Sequence, residues 1–274
     1  MRLVTLIENT SGEHKGLYTE HGLSFYLETD TIHLILDFGE SGLVLKNAHK
    51  LNIPLESIDC AVCSHSHYDH ASGFQNIASG LRVKRFVTGP NFWQPRYAFD
   101  GKKYSYLGAS FNRTLLQQHQ IQHQICNDLL ELAEGCWAIG NFPRTCPYET
   151  IPVRFVSASA PNTFVPDLFE DEICLAVETG EGLAVVVGCS HPGIVNMLTT
   201  VHKRLQRPIV SVWGGAHLVE ADNTRIQLTA DALRSLGVER VGLCHCSGEQ
   251  LVQLSQYIPE IECCRLSAGD MVAF

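Results

Sequence analysis

The 274-residue chain contains no stretch of eighteen apolar residues, which argues against a membrane-spanning helix. Its first residues also lack a basic start, a long apolar centre and a small-residue cleavage site, so a cytoplasmic protein is expected. Positive charge is scarce: 20 Lys and Arg stand against 29 Asp and Glu, a formal net charge of −9. Such a surface has no general attraction for nucleic acid or anionic lipid, so the expected partner is a small molecule, with neither nucleic acid nor membrane involved. Neither the phosphate-cradling pattern GxxxxGK[ST] nor the nucleophile elbow GxSxG is present, which removes P-loop nucleotide hydrolysis and that form of serine catalysis. There is no solenoid repeat and no low-complexity tract.

Cysteine is abundant, but eleven is an odd number, and the spacings (Cys244 and Cys246, Cys263 beside Cys264) do not form a secreted disulfide framework. Reduced thiols are expected. Cys60 and Cys63 make a C-x-x-C, yet odd spacing on a strand points two side chains to opposite faces, which disfavours a redox pair.

With 45% hydrophobic residues the chain can bury a substantial core. The segments LVTLIE, LSFYLE and IHLILDFG read as short strands bounded by Gly, Asp or Thr. Beyond residue 40 the pattern becomes strand followed by helix, an α/β organisation in which four strands run out at a histidine. SIDCAVCSH ends at His65 and GLAVVVGCSH at His191, after which Pro192 opens the helix PGIVNMLTTVHKRL. PIVSVWGGAH ends at His217, before the helix TRIQLTADALRSLG with Gly237 as its stop; ERVGLCH ends at His245, before EQLVQLSQYI. Ligands gather beyond the carboxyl ends of strands in such sheets, so the four histidines are expected to converge. Residues 82–152 are less regular, with a helix expected over QQHQIQHQICNDLLELAEG, and read as an insertion or lid over the site within a single domain, 1–274.

The densest cluster is SHSHYDHASGF, which puts His65, His67, Asp69 and His70 within six positions directly after an apolar strand. Imidazole and carboxylate suit zinc, manganese or iron, and packed together without a cation they leave polar groups poorly paired. An ion held with an open position brings the pKa of a bound water toward ~7 and polarises a carbonyl or phosphoryl oxygen, which suffices for hydrolysis in outline.

SHSHYDH resembles the HxHxDH signature of the metallo-β-lactamase superfamily. The blocks GLYTEHGLSFYLE, GNFPRTCPYE, GCSHPGIVN, WGGAHL and LCHCSG are similar to those of its 7,8-dihydropterin-6-methyl-4-(β-D-ribofuranosyl)aminobenzene-5′-phosphate synthase-like subgroup, over nearly the full length. The resemblance implies a four-layer αββα sandwich and a metal-dependent hydrolase carrying one or two divalent ions, zinc first, with manganese and iron as alternatives. It implies a small, anionic and pterin-related substrate bearing phosphate or carboxylate. Carried over by residue, it places His65 and His67 on one metal, and Asp69, His70 and His245 on a second. Asp69 would also orient the attacking water or take its proton.

The sequence departs from the superfamily at two places. The acidic pair Asp171 and Glu172 stands where a histidine is common, and Cys189 follows Gly188 where an aspartate is common. His191 is the preferred remaining ligand of the first metal, with Asp171 and Cys189 as rivals, and loss of the bridging carboxylate leaves one or two ions as the expected occupancy. His217 and His21 are open between a role beside the metals and an ordinary loop setting. His119 and His123, four apart among glutamines on the expected helix, read as a solvated face. Arg144, Arg113, Lys102 and Lys103 are the cations near the expected lid that could clamp an anionic group. Two other readings stay open: a phosphodiesterase or nuclease-type metallohydrolase, and a non-catalytic metal-containing ligand-binding module.

Overall fold

A computed structural model describes all residues, 1–274. Alternating apolar residues build two seven-stranded sheets packed face to face. The first runs in the order Met271–Ala273, Arg2–Ile7, Ser24–Glu28, His33–Leu36, Cys60–Val62, Arg85–Thr88, Gln122–Ile125. The second runs Glu262–Arg265, Arg240–Leu243, Ile209–Gly214, Leu183–Val187, Cys174–Glu178, Cys136–Ile139, Leu129–Ala133.

Period-two alternation decides which layer each side chain joins. Leu3, Phe25, Leu34, Leu36, Cys60 and Val62 face Leu175, Val177, Ala184, Val186 and Trp213 across the gap between the sheets. Val4, Tyr26, Ile35, Ala61 and Cys63 point outward beneath the helix Leu43–Lys50 and the short turns Tyr68–Ala71 and Phe74–Ile77. On the far side Ala176, Val185, Val187, Val212 and Leu243 lie under the helices Ile194–Leu205, Asn223–Ser235 and Gln250–Tyr257. The layers are therefore helix, sheet, sheet, helix. Cys60 and Cys63 sit in different layers, as their spacing requires, and all eleven cysteines are free. No helix is long and apolar enough to cross a membrane.

Residues 82–152 differ from the expected irregular insertion. Arg85–Thr88 and Gln122–Ile125 extend the first sheet, and Leu129–Ala133 and Cys136–Ile139 extend the second. The part outside them is the hairpin Arg96–Phe99 with Tyr104–Tyr106, which pairs with Phe155–Ala160 and Thr163–Pro166 in a separate four-stranded sheet. The long helix expected over QQHQIQHQICNDLLELAEG is also absent. A helix covers only Arg113–Gln118, and Gln120, at φ 55°, ends it. Beyond that point the register Arg85↔Gln122 to Thr88↔Ile125 captures the chain as a parallel strand, and Gly135, at φ 74°, turns the following hairpin. Pairing with neighbouring strands outweighs the weak helical preference of this glutamine-rich segment. His119 and His123 are accordingly not one turn apart on a helix: His119 caps it, and His123 lies on the strand with Nε2 2.9 Å from Thr88 Oγ1.

The strands that run out at histidines are parallel members of both sheets. His65 follows Cys60–Val62 in the first; His191, His217 and His245 follow Leu183–Val187, Ile209–Gly214 and Arg240–Leu243 in the second. The sheets draw together at this end, where a Cβ on Gly188 would lie 2.1 Å from Ser64 Oγ, so only glycine fits. The helix after His191 begins at Ile194 rather than at Pro192. Gly193, at φ 100°, offers no capping side chain, and Glu149 from a distant loop accepts the Val195 and Asn196 N–H groups at 2.8 Å each.

Candidate metal centre

All six of the metal-ligand candidates from the sequence are buried at the carboxyl ends of these strands: His65, His67, Asp69, His70, His191 and His245. The rings of His65, His67 and His191 form one set, with centroids 4.7 Å apart for His65 and His67 and 4.9 Å for each to His191. The second set adjoins it, the His65 and His70 ring centroids being 4.3 Å apart. His70 Nε2 lies 3.2 Å from His245 Nε2, and Asp69 Oδ2 lies 3.3 Å from His245 Nε2 and 4.0 Å from His70 Nε2.

On His65, His70 and His245 the outer ring nitrogen is hydrogen-bonded, which fixes these three rings and turns their remaining nitrogens inward. His70 Nδ1 donates to Asp37 Oδ2 at 2.7 Å. Ser64 Oγ donates to the same oxygen at 2.8 Å, so the His65 Nδ1, 2.9 Å from that hydroxyl, is the donor to it. His245 Nδ1 meets Asn9 Oδ1 at 3.1 Å, while its backbone N–H donates to buried Glu8 at 2.7 Å. Glu172 accepts the backbone N–H groups of Ser190 and His191, the latter at 2.9 Å. Asp37, Phe169, Ser190, His217 and His245 all have φ between 43° and 61°, the left-handed region that non-glycine residues seldom adopt, so backbone strain gathers at this end of the molecule.

Inside this frame the Nε2 atoms of His65, His67 and His191 are buried and have no hydrogen-bond partner. Buried polar atoms in native proteins nearly always have one, so these orphaned imidazole nitrogens fit a cation site; the ligand atoms of His65 and His191 lie within 4.8 Å of each other and of Cys189 Sγ, while His67, its ring beside theirs, stands outside that group. Burial holds His65 and His191 well below the ordinary histidine range and His67 at about 3, so their lone pairs are free. Burial also lowers His70, but Asp37 and Asp69 outweigh it and raise the ring to about 9, so a cation bound at its Nε2 would displace a proton. Burial pushes Asp69 up, and His70, His21 and His245 outweigh it, leaving the carboxylate well below its usual range and ionised. Three neutral imidazoles and an anionic carboxylate beside two more imidazoles make a donor set suited to one or two divalent ions.

The rivals for the last position separate clearly. The Asp171 carboxylate accepts the Ser66 N–H at 2.9 Å and pairs with Arg96 Nη2 at 2.7 Å, and it joins no ligand group. Glu172 is spent on backbone. His191 stands with His65, and Cys189 Sγ stands with both sets, 3.1 Å from His70 Nε2. His217 packs its ring 4.5 Å from that of His191, and His21, half-exposed, reaches Asp69 Oδ2 at 3.2 Å.

Several residues of the site escape a reading of local patterns. Asp37 and Glu8 each directly follow an apolar strand, the same signal that marked the histidines. Arg96 carried no such signal. It is 1% exposed, donates from Nε to Ser66 Oγ at 2.7 Å, and pairs with Asp167 as well as Asp171. Through it the four-stranded sheet is tied to the turn that carries His65 and His67. Phe155 and Phe169 wall the first set, with Phe169 stacked on His191 at 3.9 Å. Of the cations expected near a lid, Arg144 lines a cavity of about 420 Å³ that Phe169 and Pro192 border from the metal side. Lys102 and Lys103 lie at the exposed hairpin tip, their backbone N–H groups bound to Asp100, and Arg113 lies exposed at the start of its helix.

Comparison with known proteins agrees with this fold. A family model described as the metallo-beta-lactamase superfamily matches residues 17–195. The chain is 30% identical to a 7,8-dihydropterin-6-methyl-4-(beta-D-ribofuranosyl)-aminobenzene-5′-phosphate synthase of Methanocaldococcus jannaschii, covering 100% of this chain and 97% of that one. The crystal structure of a metal-dependent hydrolase of the beta-lactamase superfamily superposes with a TM-score of 0.85 at 30% identity, covering 100% of this chain and 99% of the other. Human tRNase Z, short form, superposes with a TM-score of 0.58 at 12% identity over 100% of this chain and 99% of that one, a likeness of fold alone.

Proposed function

The chain belongs to the metallo-β-lactamase superfamily, and from that premise we propose that it is a cytoplasmic metal-dependent hydrolase of a small anionic molecule, one bearing phosphate or carboxylate. The observation that carries the reading is the trio of buried, unpartnered Nε2 atoms on His65, His67 and His191, next to Asp69, His70 and His245.

In this reading His65, His67 and His191 hold one divalent ion, and Asp69, His70 and His245 a second, with zinc the first choice. Such ions lower the pKa of water toward ~7 and polarise a carbonyl or phosphoryl oxygen. The chain's own residues do the rest. Asp69, kept ionised, orients the water and accepts its proton; His21, 3.2 Å away and open to solvent, passes that proton outward. Phe155 and Phe169 keep bulk water from the face of His191, which strengthens electrostatic interactions there. Arg144, in the cavity beyond Phe169, is the cation best set to meet an anionic end of the substrate.

A second reading follows from the name of the full-length relative, a synthase whose product carries a phosphate: this chain would perform a related synthetic reaction on a pterin-related compound. Elemental analysis of purified protein, followed by assays with bis-p-nitrophenyl phosphate, p-nitrophenyl phosphate, aryl esters and lactones, separates the readings. Metal-dependent turnover that His65→Ala and His245→Ala abolish supports the hydrolase. Metal-loaded protein that turns over none of these points to the synthase or to a ligand-binding module.

A further inference from the structure

Cys189 is the one residue shared by the two ligand sets. Its Sγ lies within 4.8 Å of the ligand atoms of His65 and His191 on one side, and within the same distance of those of His70 and His245 on the other. The side chain is 3% exposed. The Nε2 atoms of His65 and His191, themselves buried and without partners, face the same space.

Two cations a few ångströms apart in a dry pocket repel strongly, and an anion between them is what makes the pair tenable. The nearby carboxylates are engaged elsewhere. Asp37 lies behind His70, bound to Ser64 and the His70 ring. Asp171 is paired with Arg96, and Glu172 holds the backbone of Ser190 and His191. Asp69 belongs to the second set and to His21. Only sulfur stands between the sets.

Resting on the metal-centre reading above, we propose that Cys189 binds as a thiolate shared by both metal positions, a sulfur bridge where the superfamily commonly has a carboxylate. On binding, the Cys189 S–H bond gives its proton to the buffer and the sulfur lone pairs form the two metal bonds; no electron is transferred. The turn at Ser190, at φ 61° and capped by Glu172, fixes Cys189 at the strand end so that the sulfur points between the sets. A soft donor in this position favours zinc, cobalt or iron over manganese and magnesium. It also restores the bridge whose absence from the sequence pattern left one or two ions as the expectation.

Anaerobic titration of the full chain with Co(II) tests this. The wild-type protein takes up two cobalt ions, with a sulfur-to-cobalt charge-transfer band in the near ultraviolet beside the visible d–d bands. Cys189→Ser loses the near-ultraviolet band, and Cys246→Ser, a neighbouring thiol outside both sets, keeps it. Cys189→Asp retains two ions and shifts the Mn(II)-to-Zn(II) affinity ratio toward manganese on the order of tenfold, and its circular dichroism shows that the fold survives. A band that persists in Cys189→Ser, or that vanishes in Cys246→Ser, overturns the proposal. Two bound cobalt ions with no sulfur band overturn the bridge while leaving the metal centre standing; no bound cobalt overturns both.

Discussion

Asp37 Oδ2 lies 2.7 Å from His70 Nδ1, with both side chains wholly buried, and the same carboxylate receives the Ser64 hydroxyl that supports His65. One carboxylate thus orients a ring from each ligand set. Partners of this kind typically account for 10–100-fold in metal affinity. Asp37→Asn replaces the anion with a neutral amide and is expected to weaken zinc by about that factor, measured by competition with a chromophoric chelator. An affinity within twofold of wild type would remove Asp37 from any role in aiming the ligands.

Arg96 is a buried cation between two buried carboxylates, Asp167 and Asp171, and burial, which alone would lower its pKa, is outweighed by both of them. Removing only the cation leaves two unpaired anions, a change that costs about 3–5 kcal/mol for a buried pair. Arg96→Met is expected to lose that much in urea unfolding, and to weaken zinc because Ser66 is freed beside His65 and His67. Adding Asp171→Asn to this variant relieves part of the loss. Additive or worsening effects in the double variant would show that the two side chains do not act as a pair.

The candidate ligands that were legible in the sequence share one property: each follows an apolar strand or sits in the tight run His65 to His70, so local spacing reveals it. Asp37 and Glu8 carried the same mark, but a single acid at a strand end is common, and only contact with His70 or His245, far along the chain, gives it a role. Arg96 was invisible because its three partners come from segments 30 to 75 residues away, which no periodicity reports. The α/β organisation was legible from alternation and from the strand-helix units, and the four layers from the resemblance carried by SHSHYDH. The segment after Gln118 was not, because Gln, His and Leu are acceptable to helix and strand alike until pairing with Arg85–Thr88 decides.

Burial pushes the Cys60, Cys126 and Cys136 thiols up to about 12, from an ordinary value of 9.0. A raised acid favours its neutral form in the folded protein. Its contribution to stability is therefore complete below pH 9, and is lost as the pH rises from 9 toward 12, because the unfolded chain can ionise these thiols and the folded chain resists. The urea midpoint is expected to fall between pH 8 and pH 10.5, and to fall less in a Cys60→Ala, Cys126→Ala, Cys136→Ala variant. An unchanged slope in that variant would assign the alkaline loss to other groups. At pH 8, thiol reagents should modify exposed Cys264 well before these three.

Glu172 stands beside the rival Asp171 where the superfamily commonly has a histidine, and its structural task is different. It is fully buried, and its two oxygens accept the N–H groups of Ser190 and His191. Ser190 holds a left-handed φ of 61°, so this turn is strained and needs an outside hold. A carboxylate bound to two amides is such a hold, and Glu172 joins no ligand group. Glu172→Ala should therefore release the 190–191 turn and disturb the first ligand set through His191, while Asp69, His70 and His245 keep their own supports from Asp37, Glu8 and Asn9. The expected result is loss of one ion per chain by elemental analysis, with the other retained. Were Glu172 itself a ligand, Glu172→Gln, which keeps one acceptor oxygen for the turn but is a poor metal donor, would lose the ion as completely as Glu172→Ala. Retention of both ions by the glutamine variant and loss of one by the alanine variant distinguishes holding the turn from holding the metal.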